Sequence, residues 1–327
     1  MKKIKYIPLL ALTAVLSGCN FGSSISLKAP KFESEGSEFS FEEMKTEQEK
    51  SDFYGAFSAG DYTVIPSAII KGSSGYSSKL VVKEGKSVKR ERDYKQVSSH
   101  KYTFDVDNKR IEMKTESKGI TKDKSTSSSA ENQSTTKSDG GYRYYTIEDK
   151  LWMVSFNNLT KTYSKNMDAS ALDEEHLKMD IQARCDLYAD AVYSNFKTAV
   201  DYYSYRSDEE KAKYKCYKND KIYTITYLSD TTKEEKNSSD EVLYKEVKVV
   251  SEKIQVNVSK GSEFTYKRSK ETTIKVEFSK DATYNYNEYR AGQVLESSEK
   301  NYEEAAVTTS GINLKEVDLS SYAFISE

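Results

Sequence analysis

One stripe of apolar residues at helical spacing constrains the fold of this chain more than any other feature. Apolar residues recur at every third or fourth position, which places them on one face of a helix of about seven turns. The members of the stripe are Leu177, Ile181, Cys185, Tyr188, Val192, Phe196, Val200 and Tyr203. Ser170 and Asp173 have the spacing of a helix N-cap. The pattern therefore predicts one long amphipathic helix over 171–205.

Alternation of apolar and polar residues, typical of half-buried strands, is found on both sides of this helix. Residues 102–106 are Tyr-Thr-Phe-Asp-Val, and residues 273–278 are Thr-Ile-Lys-Val-Glu-Phe. Because a helix with one apolar face must cover a partner, we predict an α+β fold: a curved, mostly antiparallel sheet, or half-barrel, packed on the long helix. Ser40 and Glu43 form a capping-box pattern, which predicts a further short helix over 41–54.

Two polar stretches interrupt the strand pattern and are predicted to be disordered insertions in a single domain that spans 41–327. They cover 121–140 and 229–240 and consist mainly of Ser, Thr, Lys, Asp and Glu, which cannot bury enough surface to offset the cost of ordering. The chain has 50 basic and 52 acidic residues, well mixed along its length. No basic face is therefore expected, and nucleic acid is excluded as a partner.

The first nineteen residues have the organisation of an export signal. Lys2, Lys3 and Lys5 precede an apolar run over 7–16, and Leu16-Ser17-Gly18-Cys19 follows it. This ending resembles the lipobox of bacterial lipoproteins. The resemblance implies cleavage of a signal peptide over 1–18 and acyl chains on a diacylglyceryl Cys19, which attach the protein to the outer side of a cell membrane. An ordinary secreted protein with a coincidental cysteine is the alternative. Residues 19–40, rich in Ser, Gly, Lys and Glu, are predicted to be a flexible tether.

The remaining cysteines and the histidines give no catalytic pattern. Cys185 and Cys216 are compatible with a disulfide, which persists in exported proteins, and equally with two buried free thiols. His100 and His176 are the only histidines and lie far apart in sequence. They form neither a metal-binding spacing nor a base next to a nucleophile. We therefore expect a protein that is not an enzyme and needs no metal or cofactor.

The order of elements, together with the lipobox, resembles the half-barrel lipoproteins and lipoprotein carriers of the LolA and LppX type. The resemblance implies that the concave side of the sheet takes up acyl chains. The candidate cavity residues are Ile181, Tyr188, Val192 and Phe196 on the helix, with Trp152 opposite. These residues would equally fill a solid core. The sequence therefore favours a binder of an apolar or amphiphilic, lipid-like ligand, and the alternative is a cell-surface interaction or adhesion module with a solid core and no cavity.

Overall fold

The computed structural model describes residues 25–39, 67–125, 128–147, 150–167, 174–204, 206–260, 263–312, 314 and 318–326. The strands are β1 (Ser37–Phe39), β2 (Ser67–Glu84), β3 (Ser87–Asp105), β4 (Arg110–Ser125), β5 (Ser129–Ile147), β6 (Lys150–Asn157), β7 (Thr162–Met167), β8 (Tyr214–Asn219), β9 (Ile222–Lys236), β10 (Val242–Lys260), β11 (Glu263–Phe278), β12 (Ala282–Tyr284), β13 (Asn287–Tyr289), β14 (Gln293–Thr308) and β15 (Ala323–Ser326). The helices are α1 (Glu174–Ser204), α2 (Asp208–Lys211) and a 3-10 turn at Leu319–Ser321.

Thirteen of these strands form one sheet within the described residues. Their order is β1-β8-β9-β10-β11-β14-β2-β3-β4-β5-β6-β7-β15. Every neighbouring pair is antiparallel except β15, which runs parallel to β7. The central strands contain 16 to 19 residues, so they extend for roughly 55–65 Å. Because the strands are so long, different elements can pack on the two opposite ends of the same sheet.

At one end of the sheet, α1 covers an apolar cluster. The helix occupies nearly the range that the stripe predicts, and its buried residues Leu177, Ile181, Cys185, Ala189 and Val192 lie in this cluster. The strands contribute a matching set: Ala68, Ile70, Phe104, Val106, Ile111, Tyr144, Cys216, Tyr223, Ile225, Ile254, Val256, Phe264, Tyr266 and Val307. We call this set of residues the helix-side core.

The opposite end of the sheet has its own apolar cluster, which the β12–β13 hairpin completes. Its buried members are Val82, Tyr244, Val276, Phe278, Tyr284, Tyr289 and Leu295. The rings of Phe278 and Tyr289 are stacked with centroids 4.5 Å apart. The ring of Tyr284 meets both Tyr244 and Phe278 edge-on. We call this set the hairpin core.

Between the two cores, the long strands carry mostly polar side chains, which pair across the ladders. Lys122 and Glu131 form an ion pair at 3.2 Å across β4 and β5. The hydroxyls of Ser74 and Ser98 lie 2.7 Å apart across β2 and β3. Main-chain hydrogen bonds and such cross-strand pairs therefore hold the middle of the sheet together with little apolar burial.

The predicted α+β class is wrong, because the described chain is mostly β. One helix does pack on the sheet, but it covers only one end of a few of the thirteen strands. The segments 121–140 and 229–240 are predicted to be disordered insertions, but 121–125, 129–140 and 229–236 lie in strands and 237–240 form the turn to β10, with 126–127 outside the described residues. Their backbone N–H and C=O groups form hydrogen bonds with neighbouring strands. A prediction based on the number of apolar residues does not take these bonds into account. The short helix predicted over 41–54 lies outside the described residues.

Candidate functional site

The helix residues predicted to line a cavity lie in the helix-side core. Ile181 is 1% exposed, and Val192 is also buried among the strand residues of this core. The ring of Tyr188 packs against Tyr102 with centroids 4.6 Å apart and against Phe104 at 5.7 Å. Phe196 also belongs to α1, but its side chain is not among those that the structure describes. The stripe is thus in contact with the sheet along its described length.

Trp152 is not brought together with the helix residues. It lies in β6 opposite Tyr145 of β5 and Met167 of β7. The next residue, Met153, packs against the helix-side core, and successive strand residues point to opposite faces. Trp152 is therefore on the other face of the sheet and does not line a common pocket with Ile181.

The two cysteines of the described chain are free thiols and form no disulfide with each other. Both are buried members of the helix-side core, so they correspond to the alternative of two small apolar side chains. Burial raises the pKa of the Cys185 thiol to about 12, and the nearby Asp186 carboxylate adds to this. Burial also raises the pKa of Cys216 well above its usual range.

We expect both thiols to resist alkylation in the folded protein, because the thiolate is the reactive form and the core excludes reagent. With iodoacetamide at pH 8, labelling of Cys185 and Cys216 should be at least about 100-fold slower in buffer than in concentrated urea. Peptide mapping by mass spectrometry measures each site separately. Rapid labelling of either thiol in the native protein would contradict the packing described here.

The segment that precedes the sheet is docked on it along residues 25–39, which we call the strap. The Glu33 N–H donates to Gln255 Oε1 at 2.8 Å, and Gln255 Nε2 donates to the Glu33 carbonyl at 3.1 Å. Gln255 Nε2 also donates to Thr224 Oγ1 at 2.9 Å. Because Gln255 is 1% exposed, its amide acts as a buried clamp on the strap backbone. No sequence signal marks this glutamine.

Further contacts fix the strap on both sides of this clamp. Upstream, Leu27 packs on Gly75 of β2, where an added Cβ would lie 2.7 Å from Leu27 Cδ1. Lys267 Nζ donates to the Lys31 carbonyl at 2.8 Å. Downstream, Lys253 pairs with Glu35, and β1 then adds to the edge strand β8. Of the tether predicted over 19–40, residues 25–39 are therefore a fixed part of the sheet surface, and the others lie outside the described residues.

Replacing Gln255 by alanine should loosen the strap and lower the free energy of unfolding by about 1–3 kcal/mol, because buried polar partners lose their hydrogen bonds. Trypsin should then cut after Lys28 and Lys31 faster than in the wild-type protein. Urea unfolding and timed proteolysis measure the two effects.

Asn257→Ala is the matched control for this change. Asn257 lies on the same strand and contacts the exposed Glu33 carboxylate at 3.4 Å, so its loss should have a much smaller effect. Equal effects of the two alanine variants would show that the buried amide is not a clamp.

Two open cavities lie along the sheet away from α1. One, of about 260 Å³, lies between the strap and strands β2, β3, β4 and β14; Lys28, Pro30, Glu116, Lys118 and Tyr302 are among its lining residues. The other, of about 650 Å³, is lined by the link between α2 and β8 and by strands β8, β9, β10 and β11. Its lining residues include Lys213, Lys215, Leu228, Lys253 and Glu271. Among the residues whose side chains the structure describes, none of α1 lines either cavity. Both linings include side chains of opposite charge, such as Lys28 and Glu116 in the first cavity and Lys253 and Glu271 in the second.

The described part of the chain holds no group of three or more His, Cys, Asp or Glu side chains placed to share a metal ion. Among the helices of that same part, none has the length and apolar character needed to cross a membrane.

Comparison with known proteins assigns no family. No family model matches the chain, and no curated protein matches it. Among solved structures, the outer membrane protease OmpT from Escherichia coli aligns at 6% identity and a TM-score of 0.24 over 74% of this chain and 96% of its own. An outer membrane channel from Pseudomonas putida F1 aligns at 7% identity and a TM-score of 0.20 over 76% and 98%. These scores are too low to indicate a shared fold, so neither fold nor function is taken from them.

Proposed function

We propose that this protein is a membrane-anchored lipoprotein on the extracytoplasmic side of a cell membrane, where its sheet serves as an interaction module. The lipobox ending at Cys19 supports the anchor. The observation that carries the choice of an interaction module is the filled interior beneath α1: Leu177, Ile181 and Cys185 are almost completely buried against the strands. A lipid-like ligand at this place would have to displace these side chains.

The docked strap supports a short anchor. Only residues 20–24 separate the lipid-bearing Cys19 from the first described residue, Ile25. Even fully extended, such a segment spans at most about 20 Å. The sheet is then held close to the bilayer, within reach of other membrane-bound proteins and not at the end of a long linker.

Replacing Cys19 by serine tests the anchor in a bacterial host that processes lipoproteins. The wild-type protein should fractionate with membranes and carry the added mass of its acyl chains, since two or more chains hold a protein stably. The Ser variant should lose this mass and its membrane-bound fraction should fall at least about tenfold. Recovery of wild-type protein with an unmodified sulfur would refute the anchor.

A titration of delipidated protein with a fluorescent fatty acid separates the interaction module from the ligand binder. We expect no saturable uptake, because the side chains under α1 already occupy the space. Val192→Trp adds volume at the same place and serves as the diagnostic variant. Saturable uptake by the wild-type protein that Val192→Trp abolishes would replace the interaction module with a lipid-binding cavity.

A further inference from the structure

Strand β5, the tenth of the thirteen strands in the sheet, has a long open edge near the turn that joins it to β4. It pairs with β4 over 129–143, whereas β6 pairs with it only from Gly140 onward. Asn158 caps the covered end, donating from its backbone N–H to the Asp139 carbonyl at 2.8 Å. Over 129–138, no described strand pairs with the outer side of β5. Within the described part of the chain, the backbone groups on that side are therefore available to pair with an added strand.

This edge lacks the protection found on another open edge of the described sheet, that of β9. Beyond Leu228, β9 likewise has one described neighbour, β10, and five of its next eight residues are charged: Asp230, Lys233, Glu234, Glu235 and Lys236. Charges of this kind discourage strand addition. In contrast, residues 132–136 of β5 are Asn-Gln-Ser-Thr-Thr, exposed and uncharged. The β5 segment pairs with β4 without a register shift and contains no proline.

We propose that the β5 edge pairs with the β5 edge of a second copy of this chain, antiparallel and with the two-fold axis at Ser134. In this register Glu131 of each copy lies opposite Lys137 of the other, so the two charged residues that flank the neutral centre are matched twice. Shifting the axis to residue 131 or 137 would place identical charges opposite each other. A two-fold contact uses the same patch on both copies and closes at a dimer.

The contact is small and is therefore expected to be transient in solution. Confinement of both copies to one membrane raises their effective concentration and favours it. The proposal does not depend on the anchor, because the same edge is present in protein without lipid. Failure of Cys19 acylation would change the protein concentration needed for the dimer and not its geometry.

Cysteine cross-linking of the full-length protein tests the register. Ser134→Cys should form a disulfide-linked dimer under mild oxidation, because residue 134 faces its own copy across the axis. Asn132→Cys is the control, since residue 132 faces Thr136 of the second copy. The wild-type protein shows any dimer that comes from Cys19, while Cys185 and Cys216 are buried. Cross-linking at 134 that does not exceed that at 132 would overturn the proposed axis.

A charge exchange tests the interface itself by sedimentation at high protein concentration. Glu131→Lys and Lys137→Glu each place like charges opposite each other in a homodimer, and each should weaken self-association about tenfold. Mixing the two variants should restore it, since positions 131 and 137 are then both positive in one copy and both negative in the other. Within one chain, Glu131 and Lys137 form exposed ion pairs that contribute little to the free energy of folding, so their loss should not unfold the protein. Circular dichroism checks that both variants fold. Undiminished association of the single variants, or no recovery in the mixture, would refute the dimer.

Discussion

Replacing Ile181 by alanine is expected to lower the free energy of unfolding by about 2–5 kcal/mol. Ile181 is 1% exposed, and its side chain lies between α1 and the strands of the helix-side core. The substitution removes buried methyl and methylene groups and leaves a void that the rigid sheet cannot close. Urea denaturation followed by circular dichroism gives the free energy and its change.

Leu187→Ala provides a control on the same helix. Leu187 is 68% exposed, so its truncation should change the free energy of unfolding by no more than about 0.5 kcal/mol. The comparison also bears on function, since a residue that lines a ligand pocket is already next to empty space. A small effect of Ile181→Ala, similar to that of Leu187→Ala, would indicate a cavity and favour the ligand binder.

Replacing Phe278 by alanine is expected to cost about 3–5 kcal/mol at the other end of the sheet. Phe278 is buried in the hairpin core, where its ring stacks on Tyr289 and meets Tyr284 at 6.2 Å. Its removal leaves the β12–β13 hairpin without the surface on which it packs. The hairpin consists of two three-residue strands, which are not stable without such support.

Tyr286→Ala is the matched control for Phe278→Ala. Tyr286 is an aromatic residue at the tip of the same hairpin, is fully exposed and has a positive φ of 63°. Its truncation should leave stability nearly unchanged. Hydrogen exchange in the Phe278 variant should show loss of protection first in residues 282–289. Unchanged protection there would mean that the hairpin does not depend on the aromatic cluster.

The helix could be predicted from the sequence, because its buried face repeats with a period that no strand shares. The ends of the long strands could be located for a similar reason, as in the alternation over 102–106. The segment 121–140 could not, because its strands are polar on both faces and are held by ladder hydrogen bonds and by pairs such as Lys122–Glu131. Pairing with the neighbouring strands, which the apolar pattern of one strand does not show, determines such strands. The fold class was missed for this reason.

The candidate site could be predicted only in part. The stripe correctly places Ile181 and Val192 on the buried face of α1, yet periodicity cannot distinguish a face that lines a cavity from one that fills a core. Trp152 is predicted to lie opposite them, but its neighbour Met153 faces the helix instead. Because successive strand residues point to opposite faces of the sheet, an error of one residue is enough to place Trp152 on the wrong face. The Gln255 clamp gives no local pattern, since its partner Glu33 is 222 positions away.

The route of the strap determines how the molecule bears mechanical load. A pull on the chain before residue 25 reaches the contact of Leu27 with Gly75 first, then the Gln255 amide, and last the three-residue ladder of β1 on β8. Each contact would break in turn while α1 and the long strands stay unstressed. We therefore expect the strap to detach from the sheet and lengthen under tension before the rest of the protein unfolds.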